Sequence, residues 1–441
     1  MATYYVRSTD GNNADDGLTW ATAKADLHGP TWAAGDTIYV SQAHAQSGAA
    51  AANIAIATAG TAASPTRIIG CNDAAEPPTA VSTGATASST TNGLLQITGS
   101  CYVYGLQFDH GTGANASTLS INYVASAQAV QVYEQCKFNC NVTSSAGRIG
   151  IGVNSGSVSC AEITLRGCEV KFANAGQALG YSNVRFRWDG GGITAGGTAL
   201  TGSLFKNNNG TGRLTELLLT GVDLSNLGAA CSIFDATTAQ KSMARNCKLP
   251  ASWSGSLTTG TIVPGCRCEM YDCASGDTHH SFWIEDYPGS VREESTIVRT
   301  GGAARSMKFV TNANAEYPSM PLIGPEVFIP NTATGSSVTV EAEIITDNVT
   351  LTDAEIWIEV AAKTTSGSTQ STWNRDVVAS ILATPANQTT SSETWTTTGL
   401  TTPVKQKLSV SFTPQEEGAF IARVVVCKAS TTVYVDVPRK L

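Results

Sequence analysis

The densest run of groups able to exchange protons is Asp272, Asp277, His279, His280, Glu285 and Asp286, with Trp283 and Tyr287 beside it. Glycoside hydrolysis needs two carboxyl groups roughly 5 to 9.5 Å apart, one as acid and one as nucleophile or base. Trp283 and Tyr287 would supply stacking faces for a sugar. A polar loop with no catalytic role accounts for the same residues and is the reading preferred at this level. A second set, Glu162, Glu169, Asp189 and Asp223, is scattered, and no basic residue recurs beside it as a lyase would require. There is no Gly-Xaa-Ser-Xaa-Gly elbow with a plausible triad, no phosphate loop and no HExxH. Cys136/Cys140 and Cys266/Cys268/Cys273 come nearest to metal-ligand spacing, but no His stands at ligand distance along the chain. No metal or cofactor is expected.

These residues must be held by an unusual chain. Charged residues make up 14% of 441 positions, against roughly 25% in an ordinary soluble domain, and small residues replace them. A net charge of −8, without a Lys/Arg run, argues against nucleic acid or an anionic membrane as partner. The opening Met1-Ala-Thr-Tyr-Tyr-Val6 lacks a basic region followed by an apolar stretch, so a soluble protein made in the cytoplasm is expected, with its 12 cysteines reduced.

A short pattern recurs in Tyr104–Phe108, Glu134–Phe138, Arg166–Val170, Thr220–Leu224, Arg245–Leu249 and Tyr271–Ser275. Its key positions are Leu106, Cys136, Cys168, Val222, Cys247 and Cys273, separated by 30, 32, 54, 25 and 26 residues. The 54 reads as two steps of 27, with one degenerate copy between Arg187 and Ile193. Each copy alternates apolar and polar residues around a position tolerant of a tight bend, which is strand, bend, strand. Repeated at this period, the unit is one coil of a parallel β-helix, whose inward side chains stack on their equivalents in the next coil. The six key residues are then one interior stack, with cysteine acting as a small hydrophobe. A β-sandwich would not explain the near-constant step. Cys140, Cys266 and Cys427, outside the stack, are candidates for crosslinks.

Ahead of the coils, Tyr4-Tyr5-Val6, an Asp/Asn/Gly loop from Asp10 to Gly17, Trp20-Ala21-Thr22 and Gly35–Val40 form a turn-rich segment placed to cover the open end of the helix. The loop lacks the twelfth-position Glu of a calcium loop, so it reads as a capping turn. These stretches resemble the first turns of right-handed parallel β-helix proteins of the pectate-lyase-like superfold. With the Ala/Gly/Ser/Thr-rich composition, the chain looks most like virion proteins of tailed bacteriophages built on that fold. The resemblance implies the fold and a virion setting; association as a homotrimer is expected of the capsid-decorating function described below.

Composition shifts near Arg299–Arg305, after which Val338–Ile344, Glu355–Val360, Lys407–Phe412, Ala419–Val426 and Thr432–Val437 read as half-buried strands of an antiparallel β-sandwich. Trp357, Trp373 and Trp395 could line a sugar-binding face, but core packing is the simpler reading. The expected organisation is a cap over 1–60, a right-handed parallel β-helix over 61–303 and a jelly-roll or Ig-like sandwich over 304–441, all-β throughout. The expected function is a non-catalytic virion protein that decorates and reinforces the capsid, touching the major capsid protein or another virion protein through multivalent contacts. The alternative is a tailspike-type depolymerase, a glycoside hydrolase or lyase, acting on a host-surface glycan.

Overall fold

In a computed structural model the chain is described except for residues 49–52, 91–92, 115, 124–127, 154–159, 208–214, 236, 238–239, 260–265, 277, 286–288, 295–296, 302–305, 312–321, 324–326, 333–336, 364–388, 413–417, 437–438 and 441. Within 278–285, 289–294, 322–323, 327–332, 361–363, 418–421 and 439–440 the backbone alone is described. The described residues contain no helix. They divide into two compact units, Met1–His280 and Ser281–Leu441.

The first unit is a three-faced parallel β-helix. Its long sheet runs through Thr3–Val6, Thr37–Ser41, Thr66–Cys71, Cys101–Tyr104, Val130–Glu134, the first half of Ala161–Phe172, the first half of Val184–Ile193, Glu216–Thr220, Lys241–Arg245 and the first half of Arg267–Ser275. Each is parallel to the next. After a bend the chain adds a rung to a second sheet: Ala45–Ser47, Thr86–Ser89, Gln107–His110, Lys137–Cys140 and the second halves of the longer strands. A third sheet comprises Ile54–Ala57, Leu95–Thr98, Thr118–Ile121, Arg148–Gly152, Ala178–Ser182 and Phe205–Asn207.

The bend between the first two sheets has one local cause. Gly105, Gln135, Gly167, Gly190, Gly221, Asn246 and Asp272 all have φ between 49° and 72°. Glycine enters this left-handed region freely, whereas a side chain there costs about 1 to 2 kcal/mol. Gln135→Gly should therefore raise the opening free energy of its coil by about 0.5 to 1 kcal/mol. Hydrogen exchange of strand Val130–Glu134 checks this, and a fall in protection would show that the Gln135 side chain contributes more than its backbone strain costs.

Each residue following the bend points inward. Leu106, Cys136, Cys168, Val222, Cys247 and Cys273 are all buried. The amides of Lys137, Glu169, Asp223, Lys248 and Ala274 donate to the carbonyls of Leu106, Cys136, Gly191, Val222 and Cys247, which places these positions rung over rung. The copy missing from the sequence pattern is Gly191, in register with Cys168. Cys140 is interior too, lying between His110 and Phe172 on a neighbouring column.

The N-terminal segment departs from expectation. Thr3–Val6 is already a rung of the long sheet, and Thr37–Ala57 holds a complete coil, so the helix begins well before residue 61. What caps it is the loop between those rungs. Trp20 stacks edge-on against Tyr5 at 4.8 Å, and Leu27 is fully buried, its amide donating 2.7 Å to the interior Gln46 Oε1. The Asp/Asn loop closes on a lysine: Lys24 Nζ donates to the carbonyls of Asn13 and Asp15, Asp10 pairs with Arg7, and Asp16 accepts from the Leu18 amide and the Thr22 hydroxyl. An internal ammonium thus sits against the carbonyls that a cation would seek.

The second unit is antiparallel. One sheet carries Ser306–Thr311, Val338–Asp347, Pro403–Phe412 and Thr432–Val435, and the other carries Val327–Thr332, Ile356–Lys363 and Gly418–Val426. Its division from the first unit falls at His280/Ser281, earlier than 303/304, because Gly289–Glu294 pairs with Ser306–Thr311. Trp395 packs with Ile297, Ile345 and Tyr434, while Trp357 packs on Val425 and Cys427. The two indoles serve separate cores; Trp373 lies outside the described residues. Arg299 ties strands together through Glu393 at 3.1 Å and Asp436 at 2.6 Å.

Candidate functional site: a carboxylate pair across an empty rung

Because the coils are in register, a residue's offset from the bend decides which column it joins. The first outward position after the interior stack reads Gln107, Lys137, Glu169, Gly192, Asp223, Lys248 and Ala274 along the second sheet. Glu169 and Asp223 flank Gly192, so their backbones stand two rungs or about 10 Å apart; the glycine lets the Asp223 backbone come close, since a Cβ at 192 would lie 2.2 Å from the Asp223 carbonyl oxygen. Both side chains are solvent-accessible, 41% and 47% exposed.

Each carboxylate is held by a lysine of the next rung outward and by a hydroxyl: Thr194, on the Gly192 rung, for Glu169, and Ser225, on its own rung, for Asp223. Glu169 meets Lys137 Nζ at 3.1 Å and accepts from Thr194 Oγ1 at 3.5 Å. Asp223 meets Lys248 Nζ at 3.2 Å and accepts from the Ser225 amide at 2.9 Å and hydroxyl at 2.5 Å. Partial burial pushes the Asp223 carboxyl up, but the Ser225 donors and then Lys248 outweigh it, leaving the carboxyl below its usual range. A base that stays ionised and a second carboxyl across a vacant rung are the parts of a hydrolytic pair.

The run singled out in the sequence is placed only in part. Asp272 is exposed and is the last left-handed bend residue of the helix. Asp277 and Asp286 lie outside the described residues, as do the side chains of His279, His280 and Glu285 on strand Thr278–Glu285. The crosslink candidates meet a physical obstacle. Cys140, Cys266 and Cys427 are all buried, burial pushing the thiols of Cys140 and Cys427 up to about 12 and about 11. Cys266 Sγ lies 3.8 Å from Cys268 inside the helix. A thiolate is disfavoured at Cys140 and Cys427, Cys266 is enclosed inside the helix, and Cys160 is the one cysteine with partial exposure. Among the described residues no group of three or more His, Cys, Asp or Glu is placed to hold a metal ion.

Fold and columns together define an all-β protein: a parallel β-helix followed by an antiparallel sandwich. No family model matches the chain, and no curated protein does. Among solved structures it is similar to the enzymatically active domain of tailspike protein 4 of bacteriophage CBA120, with a TM-score of 0.23 and 8% identity over 92% of this chain and 64% of that chain. This chain therefore spans less than two thirds of that one. The expectation of a protein that is not an enzyme is corrected by this comparison, since the similar chain is an enzymatically active domain.

Proposed function

We propose that the protein is a glycan-cleaving β-helix protein of the tailspike kind, carried on a phage particle, with Glu169 and Asp223 as its hydrolytic pair. The observation that carries this reading is the column Lys137, Glu169, Gly192, Asp223, Lys248, in which two lysine-paired carboxylates stand on either side of a glycine rung. Glu169, once it has taken up a proton and left Lys137, would pass that proton to the leaving oxygen of a glycosidic bond lying over Gly192. Asp223, kept ionised by Ser225 and Lys248, would take the proton of the attacking water. With Asp223 acting on water and not on the sugar, the expected outcome is inversion at the anomeric carbon. The virion setting and the homotrimer belong to this proposal, and the capsid-decorating role gives way to it.

The test is depolymerisation of surface polysaccharides from candidate hosts, followed by reducing-end release and by NMR of the first-formed anomer. Glu169→Gln and Asp223→Asn should each lower the rate at least a hundredfold, in keeping with the ~10²–10⁴ that a positioned acid or base supplies. Both variants should stay folded, since both side chains are exposed. Undiminished cleavage by either variant sinks the pair, and retention of configuration sinks the inverting assignment.

A further inference from the structure

We infer that the glycan this protein takes is an extended polyanion, bound along the outward face of the long sheet beside the carboxylate pair. The inference rests on the glycan reading above and names its substrate class. The last outward column before the bend reads Tyr104, Glu134, Arg166, Asp189, Thr220, Arg245 and Tyr271, one residue per rung. It runs about 29 Å, with a tyrosine at each end. Arg166 and Glu169 lie on either side of the Gly167 bend, so this column and the Glu169–Asp223 column border the same edge of the helix.

The charge of this face runs against that of the chain. From the rung of Tyr104 to that of Tyr271, the outward positions carry Arg166, Arg185, Arg187, Lys241, Arg245 and Arg267 as cations, all exposed, against Glu134, Glu162, Asp189, Glu216 and Glu269. The chain as a whole has a net charge of −8. Three of the cations are spoken for: Arg185 by Glu162 at 3.1 Å, Arg187 by Asp189 at 2.6 Å, and Arg267 by Glu269. Arg166, Lys241 and Arg245 have no ion-pair partner among the described residues. Arg166 and Arg245 share a column three rungs apart, about 14 Å, a spacing that a chain with repeating acidic groups can match and a single small anion cannot.

Guanidinium forks that hold no internal carboxylate are suited to bidentate pairing with carboxylate or sulfate groups. Tyr271, half-buried and directly beside Arg245, offers a flat face to a sugar ring. A nucleic-acid surface would carry a far larger cationic excess than six against five. An acidic polysaccharide lying along the helix axis fits both the sparse cations and the terminal tyrosines.

Affinity electrophoresis of the full chain through gels containing alginate, hyaluronan, neutral dextran or duplex DNA tests this. Alginate or hyaluronan should retard the protein, the retardation should weaken as salt is raised from 50 to 300 mM because exposed charges are screened, and Arg166→Glu/Arg245→Glu should weaken it at least tenfold. Arg166→Gln/Arg245→Gln, with circular dichroism as the fold check, serves if charge reversal disturbs the helix. Retardation by dextran alone, retardation unchanged in both double variants, or retardation by DNA as strong as by the polyuronates overturns the inference while leaving the glycan reading in place. If none of these carbohydrates is bound and no host polysaccharide is cut, the reading under Proposed function fails with it.

Discussion

Between pH 6.5 and about pH 4 the β-helix is expected to lose about 3 kcal/mol of stability for each of two buried imidazoles, His44 and His110. His44 is 1% exposed, and both its ring nitrogens are buried with no hydrogen-bond partner among the described residues. His110 is fully buried, its Nε2 3.1 Å from Ser117 Oγ and its Nδ1 unpartnered. Burial depresses both to about 4; at His44, Gln46 and the Asp26 carboxylate oppose it more weakly. Because the folded values lie below that of the unfolded chain, the unfolded state binds more protons in this window, and stability falls as pH falls. Above pH 6.5 the curve should be flat with respect to these groups. Asp16, Asp223 and Glu355, whose folded values are lowered, lose their contributions further down, as pH drops through the carboxylate range.

Hydrogen exchange of the strands flanking Ala45–Ser47 and Gln107–His110, measured at pH 7.5 and 4.5, reads the effect for the β-helix alone, which a global melt of two units would blur. His44→Leu/His110→Leu should abolish most of the difference between the two pH values. A wild-type chain equally protected at both would mean that the two imidazoles are reached by water in the folded state.

What the repeat carries is legible in the sequence, and what depends on register is not. Six bend motifs located the stack because the left-handed bend selects Gly, Asn or a polar residue and the next position selects a small apolar one. An even division of the step from Cys168 to Val222 misplaces the intervening rung, because the real steps, through Gly191, are unequal. That error hid the site. Glu169 and Asp223 each follow an interior-stack residue directly, as Lys137 and Lys248 do, so the alignment of these charges on one column was written in the motif offset. Without Gly192 between them they looked scattered. The three-faced cross-section and the early first coil were hidden for another reason: Ala45–Ser47, Ile54–Ala57 and Thr86–Ser89 are short strands of small residues whose alternation is too faint to separate from a loop.

Trp188→Ala should cost the β-helix about 4 kcal/mol, within the range for emptying a large buried aromatic position. The degenerate coil explains why so much rests on one side chain. Gly190 and Gly191 are both left-handed, with φ of 66° and 75°, and a Cβ at 191 would collide with the Cys168 backbone. The rung therefore cannot carry the side chain that Cys168 and Val222 carry on either side. Trp188 is fully buried on the same strand, between Leu165 and Leu219 in register, and its Nε1 donates 3.3 Å to the Cys168 carbonyl. The indole is thereby the large interior side chain of a rung whose next inward position, Gly191, has none, and it donates to the carbonyl that Gly191 approaches. Trp188→Phe, which keeps an aromatic ring but removes the donor, should cost roughly half as much. The readout is exchange protection of strands Ala161–Phe172 and Val184–Ile193. A loss below about 1 kcal/mol for Trp188→Ala would mean that the neighbouring coils close over the gap without the indole. A local collapse of both strands, with Glu169 activity lost alongside, would show that the same residue that completes the core also holds the empty rung in register with the two carboxylates.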